Sequence, residues 1–447
     1  MLTDCLNLRP TDVLALFSDE TTSDTANIFL EAASELELEV RSRVTPVKDQ
    51  AAFDVNVGLC SEDREALASA RGIITCLSNH VAGTPYRTTL VRTGTNGDTR
   101  FGHMPGANLD VLAHAVNIDY MEASSRCDDL ALALTLGEKV RLRTYVPGSD
   151  EPHDLNFDIG GVKRSPITST GIIPLGTWGN LPGGETFIAP IEDSANGVFV
   201  LNGAFKNYVM KSPTYVLLSF ENGRLVHIEG TENEEAAFKT LVDFVRSVGD
   251  SFYNSLAELG IGVNRGIKEL TGNALFDEKC YGTAHIAIGD NSRFGGLYSS
   301  RTHEDLVSRV PSIWIDEKPI LDRGKDAFEA SQWRESLDNN DAASASLSGD
   351  SIIARTNTKV QGGGFGKLRV RRNVSAGRIC IYTIGEPATS RTLARLDALI
   401  PSLGQYIRFD DLCRLADKNK LELSRSLTAA AVSILSRHDV ITVKDQN

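Results

Sequence analysis

Five side chains able to bind a divalent ion crowd into two glycine-rich parts of this chain. Glu258, His285, His303 and Asp305 fall within forty-eight residues, and Glu185 lies upstream in GTWGNLPGGETFIAP. Neutral imidazole nitrogens and anionic carboxylate oxygens together hold zinc, cobalt or manganese while leaving a coordination position for water. The mixture points first to a metal-dependent hydrolase. In GTAHIAIG, apolar residues flank His285 and glycines close both ends, the pattern of a short buried strand that presents one polar side chain. His303 and Asp305 are two apart in THED, so an extended segment sends both from one face and Glu304 from the other. Glu185 follows Pro182, Gly183 and Gly184, a turn sequence that can aim a carboxylate into a cleft. Glu258 ends the amphipathic stretch FYNSLAEL just before GIGVN, which places it at an element terminus. Each residue alone is a weak signal. A lone strand histidine is more often a hydrogen-bonded core residue than a ligand, and a carboxylate after a Gly-Gly turn is usually solvated. The case for a metal rests on five donors in two segments.

NLPGGETFIAP, ELGIGVN, DEK followed by GTAHIAIGDNSRFGG, and the His303–Asp305 pair resemble, in that order, the motifs of the aminopeptidase T and aminopeptidase S family of metallo-aminopeptidases. The similarity runs from about residue 15 to about residue 330 and is specific in these four motifs. The resemblance implies a centre of two divalent ions held by Glu185, Glu258, His285, His303 and Asp305. It also implies a peptide substrate with a free α-amino group, and an amide carbonyl polarised by ions that acidify a shared water. Glu185, Glu258 and Glu278 are then the candidate catalytic carboxylates, with Glu278 of the DEK segment a reserve general base. The plainer reading of Glu278 is a surface ion pair with Lys279. The same scaffold is similar to that of 2,5-dihydroxypyridine dioxygenases, which bind one non-haem iron through two histidines and an aspartate. Those enzymes keep the HxD pair but carry histidine where Glu258 stands and apolar residues where Glu185 and His285 stand. A ring-cleaving dioxygenase is therefore the lesser alternative. One departure from the peptidases is Ser292, where they place a tyrosine seven residues after the strand histidine; Tyr298 is the nearby candidate to replace it. An accessory or peptide-binding protein on the same fold is the other alternative.

The elements that must position these residues form three units. Residues 1–150 alternate helical TANIFLEAASELEL, extended EVRSRVTPV, helical EDREALASARG, extended IITCLS, a long helical NLDVLAHAVNIDYMEASSRCDDLALALTLG and extended KVRLRTYV, which predicts an α/β domain with a largely parallel sheet. No GxGxxG follows the first strand, so a dinucleotide is not inferred. His80, His103 and His114 read as packing or surface residues; the resemblance to the peptidases implies a first domain over one side of the cleft, which would put His103 in RFGHMPG within reach of substrate. Residues 151–385 read as an α+β metal-binding domain, with ENGR as a hairpin turn and EEAAFKTLVDFVRSVGDSFYNSLAEL as a helix or helix pair. The polar segment from Ser331 to Asp350 reads as a loop, and QGGGFG lacks the GK[ST] ending of a phosphate loop. Residues 386–447 carry a helix-turn-helix pattern and a β-rich end, the look of a small winged-helix-like module for peptide docking or dimerisation, or a helical bundle packed on the metal domain.

Composition fits such an enzyme. A chain of 447 residues with 41% hydrophobic content can bury several cores. Its seven cysteines are scattered, odd in number and free of CxxC spacing, which argues for reduced thiols in the cytoplasm. No apolar run reaches membrane-spanning length, and the start MLTDCLNLRPTD lacks a signal-peptide pattern. A net charge of −13, with nine Lys and Arg against eight Asp and Glu from Glu386 onward, disfavours nucleic acid as a partner. A homodimer is expected.

Overall fold

The computed structural model describes residues 1–45, 59–82, 84–95, 99–160, 164, 166–174, 176–248, 250–329 and 333, and the strands Ile352–Arg355, Arg369–Asn373, Arg378–Tyr382, Tyr406–Arg408 and Ile441–Lys444. The first sheet is wholly parallel. Its order is Glu39–Thr45, Val13–Asp19, Gly72–Cys76, Arg100–His103 and Thr177–Asn180. Along its second strand Leu14 and Leu16 face one apolar cluster while Ala15 and Phe17 face another, so the sheet is covered on both sides, as a parallel sheet requires. The helix Ser23–Glu35 buries Thr25, Ala26, Phe29 and Ala33, one stripe at helical spacing.

Sequence position and sheet membership part company near residue 150. Lys139–Tyr145 belongs to the antiparallel sheet of the following part, whereas Thr177–Asn180 returns to close the first sheet. The long helical stretch is two helices, Leu109–Ala115 and Tyr120–Leu136. Asp119 explains the break, because its carboxylate accepts the backbone N–H groups of Met121 and Glu122 and so starts a new helix.

Two antiparallel sheets follow. Eight strands run in the order Arg224–Gly230, Val216–Glu221, Asn196–Leu201, Pro152–Asp158, Lys139–Tyr145, Ser312–Ile315, Lys318–Asp322 and Lys325–Asp326. The ENGR hairpin forms as expected, with Asn222 and Gly223 both at positive φ, 47° and 76°. Seven strands form the other sheet, in the order Tyr208–Val209, Ala204–Phe205, His303–Arg309, Thr283–Gly289, Leu256–Gly262, Glu185–Ile188 and Ile167–Ser169. Leu142, Leu155, Phe199 and Leu218 of the first and Leu259, Ile261, Ile286 and Leu306 of the second share one core. The helical expectation for residues 234–259 is corrected at its end: the helix is Glu232–Ser247, and LAELGIG is a strand, so Glu258 sits inside a sheet.

The N-terminal layer is bonded to the loops that carry the site. Leu14 and Ile74 share a cluster with Leu181, Ile267, Leu275 and Phe276. Asn264, fully buried, donates its amide to the carbonyls of Ala115 and Gly183 and accepts the N–H of Gly266. Its Cβ lies only 2.6 Å from where a side chain on Gly184 would begin, and Gly184 is at φ +123°, so only glycine fits there.

Among the described residues no helix is long and apolar enough to cross a membrane. In the C-terminal region Ile352–Arg355 pairs antiparallel with Tyr406–Arg408 and with Ile441–Lys444. Ile407 lies in the strand Tyr406–Arg408; the stretches expected to be helical, QGGGFG and the polar segment apart from the buried Trp333 lie outside the described residues. Replacing Asn264 by alanine strands the Ala115 and Gly183 carbonyls, and urea unfolding should show a loss of about 1–3 kcal/mol. A loss below about 0.5 kcal/mol would remove Asn264 from its role as the tie between these loops.

Candidate metal centre

The seven-stranded sheet has one face in the core and one in a cleft, and strand alternation sorts its residues between them. Ala284, Ile286 and Ile288 go to the core, which leaves His285 and Ala287 on the other side. Register then brings partners together across strands. Glu258 and Asp305 both lie opposite Ala287, one on each side of it. His285 lies opposite Gly260, His303 opposite Gly289, and Glu185 opposite Gly262. Every polar side chain of the patch therefore faces a glycine or alanine on the next strand, and the space it needs comes from that missing bulk.

All five expected donors meet there. His285 Nε2 is 3.1 Å from Glu258 Oε1 and 4.0 Å from Glu185 Oε2. His303 Nε2 is 3.3 Å from Glu258 Oε2 and 3.3 Å from Asp305 Oδ1. Donor atoms of Glu258, His285 and Asp305 all lie within 4.8 Å of one another, close enough to share one ion. Glu258, His303 and Asp305, with Glu185, Glu278, Asp290 and Phe294, line a cleft of about 300 Å³, and His285 is buried beneath it against Glu258. Glu304 points away from it.

The two imidazoles are held differently. The Nδ1–H of His303 donates to the Asp290 carbonyl at 2.7 Å, which leaves Nε2 facing the carboxylates, the arrangement typical of a ligating histidine. His285 Nδ1 is buried with no hydrogen-bond partner among the described residues. Its ring is instead set by packing on Gly260, where an added Cβ would come within 2.1 Å of Cε1 and Nε2.

Lys279 is the main residue that sequence reasoning missed. Fully buried, it donates to Glu185 Oε1 at 2.7 Å and to Glu278 Oε1. The Glu278–Lys279 pair expected at the surface is therefore real but buried, and its third member stands ninety-four residues upstream in the chain. His103 is buried against Thr75 Oγ1 at 2.6 Å and lines an adjoining pocket, whereas His114 is exposed on another face. Tyr298 does not replace the tyrosine missing at Ser292. Its hydroxyl donates to Asp193 Oδ1 at 2.9 Å and accepts the Asp193 N–H at 3.0 Å, and Ser292 is bonded to Asp290.

Charge governs the protonation of the patch. Burial opposes a charged imidazole, but the hydrogen bond to Glu258 and the charges of Asp305, Glu258 and Glu185 push His285 up to about 9. His303 rises well above its ordinary value for the same kind of reason, with Asp305 its main partner. Against burial, the two imidazoles lower Glu258, and His303 above all takes Asp305 down to about 2. Glu278 goes the other way, to about 8, because burial and the charge of Glu185 outweigh the attraction of Lys279.

The family described as NicX, 2,5-dihydroxypyridine 5,6-dioxygenase, matches residues 143–327. The chain is 28% identical over 159 residues to the 2,5-dihydroxypyridine 5,6-dioxygenase of Pseudomonas putida KT2440, a match covering 33% of this chain and 43% of that protein. It thus spans less than half the length of that relative. The solved structure of 2,5-dihydroxypyridine dioxygenase from the same organism superposes with a TM-score of 0.55 at 20% identity, covering 73% of this chain and 94% of that one. Wild-type AmpT from Thermus thermophilus gives a TM-score of 0.49 at 17% identity, covering 73% and 96%. The fold is one carried by that dioxygenase. The sequence matches run to the dioxygenase, the lesser relative by motif.

Two outcomes test this geometry. Without metal, His285 is raised from 6.5 to about 9 and Glu278 from 4.5 to about 8, so their contribution to stability is present at low pH and is lost as pH rises through about 8 and 9. Thermal melts of chelator-treated protein should fall between pH 7 and pH 9.5; a flat or rising profile would contradict the charge arrangement. His303→Ala and Asp305→Ala should each lower bound divalent metal by about tenfold or more, read by elemental analysis. Gly260→Ala should weaken binding too, by displacing the His285 ring.

Proposed function

We propose that this protein is a divalent-metal-dependent hydrolase that removes N-terminal residues from peptides. The observation that carries the reading is Glu258, whose two oxygens approach two different imidazoles, with Asp305 and Glu185 beside them. A donor set so rich in carboxylate suits two adjacent hard or borderline ions better than one redox-active iron. Glu185, Glu258, His285, His303 and Asp305 would hold the metal. When bound, it would supply Lewis acidity towards an amide carbonyl and towards water.

The chain's own groups provide the rest. Glu278 lines the cleft and is raised to about 8, so near neutrality it can accept or return a proton at a carboxyl oxygen. Lys279 holds the Glu185 carboxylate in one orientation. The negative floor of the cleft favours the ammonium of a free amino terminus.

A second reading, a ring-cleaving dioxygenase acting on a dihydroxypyridine, is favoured by the matched family and by the sequence relative. His285 and His303 with one carboxylate would also make a two-histidine, one-carboxylate iron site. One preparation decides between them. Loaded with zinc, cobalt or manganese, the protein should release the first residue of Leu-Gly-Gly and leave its N-acetylated form intact. Loaded with ferrous iron, it should take up no oxygen with 2,5-dihydroxypyridine. Oxygen uptake with ring cleavage, together with no peptide hydrolysis by any of the three metals, would reverse the choice.

A further inference from the structure

A second pocket, of about 370 Å³, opens beside the metal-centre cleft and shares Asn180, Arg293 and Phe294 with it. Phe294 forms the partition, its ring edge-on to His303 at 5.8 Å and to Phe187 at 5.5 Å. The two compartments have opposite electrostatic character. The first is lined by Glu185, Glu258, Glu278, Asp290 and Asp305, whereas among the described residues no carboxylate lines the second.

What lines the second compartment is cationic and apolar. Arg87 is half-buried at its wall, with its guanidinium 5.8 Å from the Trp178 ring, and its Nε–H donates to the Ala82 carbonyl at 3.2 Å. Among the described residues no carboxylate pairs with Arg87. Arg293, on the opposite element, pairs among the described residues with Asp290 alone, at 3.8 Å, and its side chain is 84% exposed. A partly desolvated guanidinium without a carboxylate is costly unless an anion arrives to meet it. His103, buried beside Arg87, is held neutral at about 3 by burial and by that charge, so it adds no anion-repelling or anion-attracting charge of its own. Trp178, Phe294 and Ile167 supply apolar walls.

We propose that Arg87 and Arg293 form an anion-binding subsite, and that the substrate carries a carboxylate on an apolar or aromatic body seated between Trp178 and Phe294. Resting on the hydrolase reading, the proposal makes the substrate a short peptide lying across Phe294. Its amino end meets the acidic compartment and its carboxylate the basic one. Arginine suits this role because its planar fork grips a carboxylate with two parallel hydrogen bonds.

The test uses the full chain and does not require turnover. Metal-free protein is titrated calorimetrically with 3-phenylpropanoate and with its uncharged amide, 3-phenylpropanamide. The acid should bind about tenfold or more tightly than the amide, the scale of one charge-assisted hydrogen bond. Arg293→Gln, at a side chain that is 84% exposed, should collapse that preference. Arg87→Gln should do the same, and Arg87→Lys, which keeps the charge and fills the same wall, should retain part of it. Equal affinity for acid and amide, binding of neither, or an acid preference unchanged in these variants would overturn the proposal. If the acid preference holds and depends on both arginines while no peptide is cleaved with any metal, the subsite stands and the hydrolase reading fails.

Discussion

Three carboxylates on one face of a sheet, with Glu278 beside them, cannot all be buried as anions without cations among them, and that charge balance organises the protein. Lys279 answers Glu185 and Glu278, while His285 and His303 answer Glu258 and Asp305. The two halves differ in kind. An ammonium fixed between two carboxylates is permanent, because Glu185 and Glu278 hold its proton more strongly than burial expels it. The imidazolium protons are exchangeable. Exchanging two of them for one divalent ion would leave the total charge of the patch unchanged.

Such a patch also needs room, and small residues opposite each polar one provide it. Gly260, Gly262, Ala287 and Gly289 lie across from His285, Glu185, the Glu258–Asp305 pair and His303. These are the glycines and alanines of ELGIG and HIAIG, so the spelling of those motifs reflects lateral packing as much as turns. Orientation comes from outside the sheet. Asp290 fixes His303 through its carbonyl, and Asn264 binds the Glu185 loop to the N-terminal layer through the Gly183 and Ala115 carbonyls.

Much of this was readable in residue types and short spacings. Alternation in GTAHIAIG and the two-residue step from His303 to Asp305 fix which side chains share a face, and both hold in the sheet. The segment around Glu258 reads as helical for a specific reason: register shifts between Leu256 and Glu258, and a bulge there disrupts the period of two that marks a strand. Lys279 could not be read as buried because the carboxylate that makes its burial tolerable, Glu185, is remote in sequence. The return of Thr177–Asn180 to the parallel sheet was hidden likewise, since four residues carry too little pattern to reveal which sheet they join.

Motif reading and whole-segment similarity favour different relatives because they weigh different residues. The matched span, residues 143–327, includes core positions such as Phe199, Leu218, Ile286 and Ile313, and a shared scaffold does not by itself fix the metal chemistry it supports. Chemistry is set by the few side chains on the cleft face. Glu258 is the decisive one. A histidine in its place would present one ring nitrogen to one ion and would add no negative charge, leaving the protons on His285 and His303 with fewer carboxylates to hold them. A glutamate offers two oxygens 3.1 Å and 3.3 Å from two separate imidazoles and raises the affinity of both for charge. With Glu258 in that position, two neighbouring imidazoles face carboxylate oxygens on the cleft side of the sheet, and Glu185 on the adjacent strand stands beside them.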